Sequence, residues 1–222
     1  MCFFRQNRGL ASVLNDLIDI AISDVSCDLV FRMDADDECL ANRFVIQSDY
    51  MVNHPNIDVL GGAAHVVNEF GEVVGFYSKP VQNSDLRLAL SVDVPFVHPT
   101  VVFRASVFRA GFKYPENTIK YEDLSFWCIL AEKSFVFHNL EVAVLRYTLS
   151  SATLARRSGF RKSLGELSTR VRFLGAVYPF RAHLFVFSFC IFISKVVFPV
   201  SAYGRLSKLR SRFLNNVQFF GK

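Results

Sequence analysis

Three carboxylates fall within four residues at Asp34-Ala35-Asp36-Asp37. Ionised side chains this close repel one another, so a purely structural role explains them poorly. Clustered carboxylate oxygens suit a hard divalent cation such as Mg²⁺ or Mn²⁺. A calcium loop of the EF-hand type starting at Asp34 requires Gly at its sixth position and Glu at its twelfth. The chain has Cys39 and Val45 there, which excludes that site. A solvated loop whose Asp side chains complement a helix N-terminus is the structural alternative. A second acidic pair, Glu122-Asp123, stands at the head of an amphipathic pattern. Such a pair can complement the helix dipole, or it can supply a proton-accepting carboxylate. His98, before Pro99, is either a contact for phosphate or acceptor, or a hydrogen-bonded structural histidine.

These groups need elements to hold them. Residues 10–22 place Leu10, Val13, Leu14, Leu17, Ile18, Ala21 and Ile22 on one helical face. Residues 28–33 are a short apolar run, predicted as a buried strand that ends directly on Asp34. A helix over 41–53 follows and stops at His54-Pro55. Residues 57–68 are strand material with a predicted break at Gly61-Gly62, then a turn at 69–72 and a strand over 73–77. Asn83-Ser84-Asp85 caps a helix running to about Leu90, and residues 101–103 form a strand. Glu122-Asp123 opens a helix carrying Phe126, Trp127, Leu130 and Ala131, with Trp127 assigned to the core. Two further strands are predicted over 135–138 and 142–147. Alternating strands and helices give an α/β sandwich, in which ligands collect beyond the carboxyl ends of strands. Asp34 to Asp37 occupy such an end.

The 222 residues suffice for one sizeable core, or for one domain plus an appendage. A 51% hydrophobic content with 24 Phe excludes global disorder. Five scattered cysteines, Cys2, Cys27, Cys39, Cys128 and Cys190, lack any paired spacing and fit a reducing compartment. Met1-Cys2-Phe3-Phe4-Arg5 does not read as a secretory signal. Charge divides the chain: residues 1–150 carry −7 and residues 151–222 carry +12, Glu166 being the single acid of the second part. Two regions with different partners are expected, 1–150 and 151–222. In the second, Arg156, Arg157, Arg161, Lys162, Arg170 and Arg172 precede an apolar run over 184–200. Lys195 interrupts that run, Pro199 closes it, and Arg205, Lys208, Arg210 and Arg212 follow. The run is short for a spanning helix, which needs about 20 residues. An interfacial or hairpin segment on an anionic membrane surface, with Lys195 reaching the headgroups, is expected beside a true span. A buried core helix is the structural alternative. Nucleic acid is disfavoured as a partner, because an apolar run between basic groups suits lipid.

Several of these segments together resemble the central part of family 2 glycosyltransferases of the GT-A fold. They are, in order, Asn7-Arg8-Gly9-Leu10-Ala11 with Leu14-Asn15, then Arg32-Met33-Asp34-Ala35-Asp36-Asp37, then Arg43-Phe44. His54-Pro55 with 57–61, Phe96 with His98-Pro99-Thr100, Val102-Phe103-Arg104, and Tyr121-Glu122-Asp123 with Trp127 continue the order. The resemblance covers about residues 5–150. It implies a GT-A-like, Rossmann-like α/β/α sandwich lacking its first strands, followed by a helical membrane-associated segment. It also implies sugar transfer from a nucleotide-diphosphate sugar with inversion, dependent on Mn²⁺ or Mg²⁺. By the same resemblance, Asp36 and Asp34 meet the metal, and Asp34 contacts the nucleotide sugar. Asp37 and His98 assist on the donor side, Asp123 is the general base, and Glu122 orients groups beside it.

The chemistry asks for these residue types. A sugar hydroxyl becomes a competent nucleophile when a positioned carboxylate takes its proton, and a departing diphosphate needs its negative charge neutralised. Two departures from the family stand out. Nothing matches the opening strand, helix and Asp-containing strand that hold the nucleotide base, so the nucleotide half is expected in a longer product or another chain. Thr148 and Ser150 stand where a His near the metal is usual. The expected function is transfer of a sugar to a saccharide or lipid-linked acceptor, in surface polysaccharide synthesis at the cytoplasmic face of the cell membrane. A non-catalytic membrane-associated remnant is the other reading.

Overall fold

The computed structural model describes residues 7–118, 120–148 and 159–197. Cys2, Ser150, Arg156, Arg157, Pro199 and the basic group Arg205 to Arg212 lie outside the described residues. The elements are α1 (Leu10–Ser23), β1 (Leu29–Phe31), β2 (Glu38–Cys39), α2 (Arg43–Asn53), β3 (Val59–Val67) and β4 (Val73–Tyr77). They continue with α3 (Asn83–Ala89), a 3₁₀ turn (His98–Thr100), β5 (Val102–Arg104), α4 (Ala105–Arg109), α5 (Glu122–Glu132) and β6 (Phe137–Thr148). Two C-terminal helices close the described chain, α6 (Phe160–Val177) and α7 (Ala182–Val197).

A mixed six-stranded sheet in the order β1-β5-β3-β6-β2, with β4 also on β3, forms the centre. β3 and β6 run parallel, and the other pairings are antiparallel. The main core lies between this sheet and α1, α4, α5, α6 and α7, built around Phe96, Phe103, Phe126, Trp127 and Phe137. A smaller cluster, with Met51 of α2 against Leu60 and Val102, covers the other face. The α/β expectation holds in this mixed form.

β1 has one partner strand among the described residues, β5. Leu10, Val13, Leu17 and Ile20 of α1 are exposed, as is Phe44 of α2, whose ring centroid lies 4.9 Å from that of Phe31 in β1. The spacing of the four α1 residues puts them on one helix face, turned away from buried Ala11, Asn15 and Ile18. The strands expected to be missing have no counterpart among the described residues.

Two strand predictions change. β3 runs unbroken through Gly61-Gly62, because the glycines serve close packing here. A Cβ on Gly61 would stand 2.1 Å from Asn139 Oδ1, and one on Gly62 2.8 Å from Val144. The two strands expected over 135–147 are the single strand β6. Its register on β3 jumps from Gly61↔Asn139 to Ala63↔Ala143, so the predicted gap is a bulge in a continuous strand.

Over the described part of the apolar run, 184–197, the expectation that Lys195 reaches outward is corrected. α7 turns Leu184 and Ser188 into the body, and Ser188 Oγ donates to the Ser91 carbonyl at 2.6 Å. Lys195 lies on that same face and pairs with Glu166 of α6 instead of reaching outward. The body compensates the ammonium charge with a carboxylate. Among the described residues no helix is long and apolar enough to cross a membrane.

Candidate active site

β1 ends at Phe31, and the Arg32 N–H extends its pairing with a bond to the Val101 carbonyl at 2.9 Å, two residues before Asp34. A turn closes where the Asp37 N–H donates to the Asp34 carbonyl. β2 then pairs with the end of β6, so the acidic loop hangs between two strands. Thr148 latches it from the β6 side: its N–H donates to Asp37 Oδ1 at 3.0 Å and its hydroxyl to the Asp36 carbonyl at 2.8 Å. Arg146 adds an ion pair to Glu38 at 3.2 Å and a bond to the Gly71 carbonyl. Thr148 therefore holds the loop through its backbone and hydroxyl.

Asp34, Asp36 and Asp37 come together as the sequence spacing proposed, each offering an oxygen within 4.8 Å of the others. Asp36 is exposed, while Asp34 and Asp37 are half-buried. Burial pushes the Asp37 carboxyl up to about 6; the Thr148 N–H opposes this, and the charges of Asp34 and Asp36 reinforce it. Asp37 Oδ2 is buried with no hydrogen-bond partner. A buried bare carboxylate oxygen beside two further carboxylates fits a divalent cation, since hard oxygen donors are what Mg²⁺ and Mn²⁺ take.

Two arginines manage this negative charge. Arg32, 7% exposed, reaches Asp34 with both terminal nitrogens at 2.8 and 2.6 Å. Arg43, fully buried at the head of α2, donates to the Arg32 carbonyl, Gln47 and the Cys39 sulfur. Burial lowers the Arg43 pKa, and among the described residues no carboxylate contacts it directly. It is a cation placed beneath the acidic loop, and its hydrogen bonds join the loop to α2.

Glu122 and Asp123 open α5, where the helix dipole favours carboxylates. Asp123 Oδ1 accepts the Leu124 N–H at 2.7 Å. Burial raises the pKa of both side chains. His98 Nε2 meets the Tyr114 hydroxyl at 2.8 Å, and its ring lies edge-on to Trp127. Burial, with Arg32 nearby, holds His98 well below its ordinary pKa, which keeps it neutral. Trp127 is fully buried in the core. Arg104 is spent on the carbonyls of Met51, His54 and Ile57, away from the acidic loop.

Asp34, His98, Glu122 and Asp123 line one cavity of about 330 Å³. Asp36 and Asp37 adjoin it through Asp34. The far wall was not anticipated from the sequence: α6 and α7 bring Lys162, Glu166, Ser194 and Lys195 to the same space. Residues read as a basic tail thus complete the cavity around Asp123.

No known family's sequence profile matches the chain. A glycosyltransferase of Haemophilus influenzae is 27% identical over 165 residues, 72% of this chain and 58% of its own length. The amylovoran biosynthesis glycosyltransferase AmsE of Erwinia amylovora is 28% identical over 70% of this chain and 56% of its own length. An Escherichia coli galactosyltransferase, acting from UDP-Gal on α-D-GlcNAc-diphosphoundecaprenol, is 28% identical over 78% and 61%. The chain spans little more than half the length of these curated relatives. Among solved structures, Staphylococcus aureus TarS 1–349 with UDP-GlcNAc aligns at a TM-score of 0.51 and 15% identity, over 86% of this chain and 63% of that one. The Pyrobaculum calidifontis mannosyltransferase PcManGT, with GDP-Man and Mn²⁺, also aligns at 0.51 and 15%, over 94% and 61%. The fold is a glycosyltransferase fold.

Proposed function

We propose that this chain carries the metal and acceptor side of a family 2 glycosyltransferase. In this reading it moves a sugar, with inversion, from a nucleotide-diphosphate sugar to a saccharide or lipid-linked acceptor. The observation that carries the proposal is the shared cavity, onto which Asp34 of the acidic loop and Asp123 at the head of α5 both open. Two structures of the same fold hold UDP-GlcNAc or GDP-Man, one of them with Mn²⁺. The names of the relatives, one in amylovoran biosynthesis and one acting on a diphosphoundecaprenol-linked sugar, support a role in surface polysaccharide synthesis.

Asp36 and Asp34 would hold the cation, with the bare Oδ2 of Asp37 beside them. A divalent ion there would neutralise the charge of a departing diphosphate. Arg32 keeps Asp34 in one orientation, and neutral His98 lines the donor side of the cavity. Asp123 takes the proton of the acceptor hydroxyl, its raised pKa bringing its basicity nearer to neutral pH. Glu122 stands beside it and orients the approaching group.

An anionic membrane surface at the cytoplasmic face suits this reading. Val186, Phe189, Ile193 and Val196 form an exposed apolar stripe on α7, opposite its packed face. In sequence, residues 151–222 carry a charge of +12.

The test is sugar transfer and donor binding by the chain together with its nucleotide-binding half. Asp36→Ala and Asp123→Ala are each expected to lower transfer by about 10²-fold or more. Undiminished transfer in both variants overturns the proposal. Absence of Mn²⁺-dependent UDP binding would favour a non-catalytic remnant.

A further inference from the structure

The α6–α7 wall of the cavity has no part in the chemistry assigned above, yet it is built as carefully as the acidic loop. Glu166, 8% exposed, pairs through Oε2 with Lys195 across the two helices. Its Oε1 stands 3.9 Å from Lys162 Nζ. That separation is too long for a direct hydrogen bond, but a hydroxyl oxygen about 2.8 Å from each atom would bridge them. A hydroxyl both donates and accepts, so it can give its proton to the carboxylate and receive one from the ammonium.

The wall is also held rigid. Arg170 of α6, 3% exposed, donates to the Leu90 and Asp93 carbonyls, and Ser188 of α7 holds the Ser91 carbonyl. Gly165 lets α6 close on the Tyr121 ring, where a Cβ would stand 2.4 Å from Cε1. Tyr121 immediately precedes Glu122 and Asp123, so the wall is registered directly against the candidate base. Tyr77 and Tyr147 face the same cavity and offer aromatic surface for the C–H face of a pyranose. Asp34, Asp93, Glu122, Asp123 and Glu166 line it together with Lys120, Lys162, Arg170 and Lys195. Charges of both signs that nearly balance, with donors and acceptors on one wall, suit an uncharged, hydroxyl-rich ligand.

We infer that the α6–α7 wall is the acceptor subsite, and that Lys162 and Glu166 bind a pyranose of the acceptor by bridging one of its hydroxyls. The inference rests on the reading of Asp123 as the base, because an acceptor hydroxyl must reach Asp123 from within this cavity.

The experiment is saturation-transfer NMR on the full chain with methyl α- and β-glycosides of glucose, galactose and N-acetylglucosamine as probes. Wild-type protein is expected to give signal with at least one of them. Glu166→Gln is expected to weaken that affinity about tenfold. Ser194→Phe, which fills the cavity from α7, is expected to abolish the signal while leaving the melting temperature unchanged. No glycoside signal in the wild type, or equal signal in Ser194→Phe, overturns the inference. Titration of UDP with Mn²⁺ on the chain together with its nucleotide-binding half keeps the two readings apart. Glycoside signal without UDP binding counts against the glycosyltransferase reading and leaves the saccharide subsite standing.

Discussion

Arg32 grips Asp34 with both ends of its guanidinium, Nη1 to Oδ2 at 2.8 Å and Nη2 to Oδ1 at 2.6 Å. The fork fixes the plane of a carboxylate that the acidic loop alone would leave mobile. Arg32→Lys keeps the charge and loses the fork. It is expected to lower stability by about 1–2 kcal/mol and to weaken Mn²⁺-dependent UDP binding by several-fold. Thermal denaturation and calorimetry read the two effects. Unchanged UDP binding would show that Asp34 needs no clamp.

Thr148 offers a milder probe of the same loop. Thr148→Val keeps the shape of the side chain and the N–H bond to Asp37, and removes the hydroxyl bond to the Asp36 carbonyl. A loss of about 0.5–1.5 kcal/mol is expected. Amide exchange along 36–38 should quicken with it, and exchange that stays at the wild-type rate would mean β6 holds the loop without the Thr148 hydroxyl, through the Asp37 bond and the β2 pairing.

Gly165 couples the C-terminal helices to the candidate base. In Gly165→Ala the new methyl meets the Tyr121 ring at 2.4–2.5 Å, so ring or helix must move. Overpacking of this kind costs about 1–3 kcal/mol. Transfer should fall further than stability alone explains, because Tyr121 leads into Glu122 and Asp123. If transfer by the folded fraction stays at the wild-type rate, α6 does not position α5.

Local signals carried much of this in the sequence. The apolar run ending on Asp34, the helical spacing of apolar residues over 10–22 and the carboxylates opening α5 are all short-range, and each element stands where its pattern put it. Long-range packing was not legible. Gly61 and Gly62 read as a break because the sequence does not show Asn139 and Val144 pressing on them. Lys195 read as a headgroup contact because Glu166, 29 positions earlier, could not be seen as its partner. A signal existed nonetheless. Glu166 is the single acid among thirteen bases in residues 151–222, and a lone acid in a basic, apolar stretch asks for a buried cation. Arg32 was visible as part of a motif, but its fork onto Asp34 depends on the bend of the chain after β1, which local sequence does not show.

The same α6 charges set the pH at which the site works. Burial raises Asp123 above the ordinary carboxylate range; the Leu124 N–H and Lys162 pull it down, and Glu166 pushes it up. Arg32 also lowers it, from the β1 side. A base acts ionised, so transfer is lost as the pH falls through this value. Lys162→Met removes a cation that favours the ionised form, and the acidic limb should move to higher pH. Glu166→Gln removes an anion that disfavours it, and the limb should move to lower pH. Glu122 is raised as well, by burial first, and Lys162 lowers it, but Glu166 is not among the main charges acting on it, as it is for Asp123. The Glu166→Gln profile therefore reports on Asp123. Profiles of kcat/KM against pH for the two variants should be displaced in opposite directions, from residues one helical turn apart. Displacement in the same direction, or none, would remove Asp123 as the titrating base.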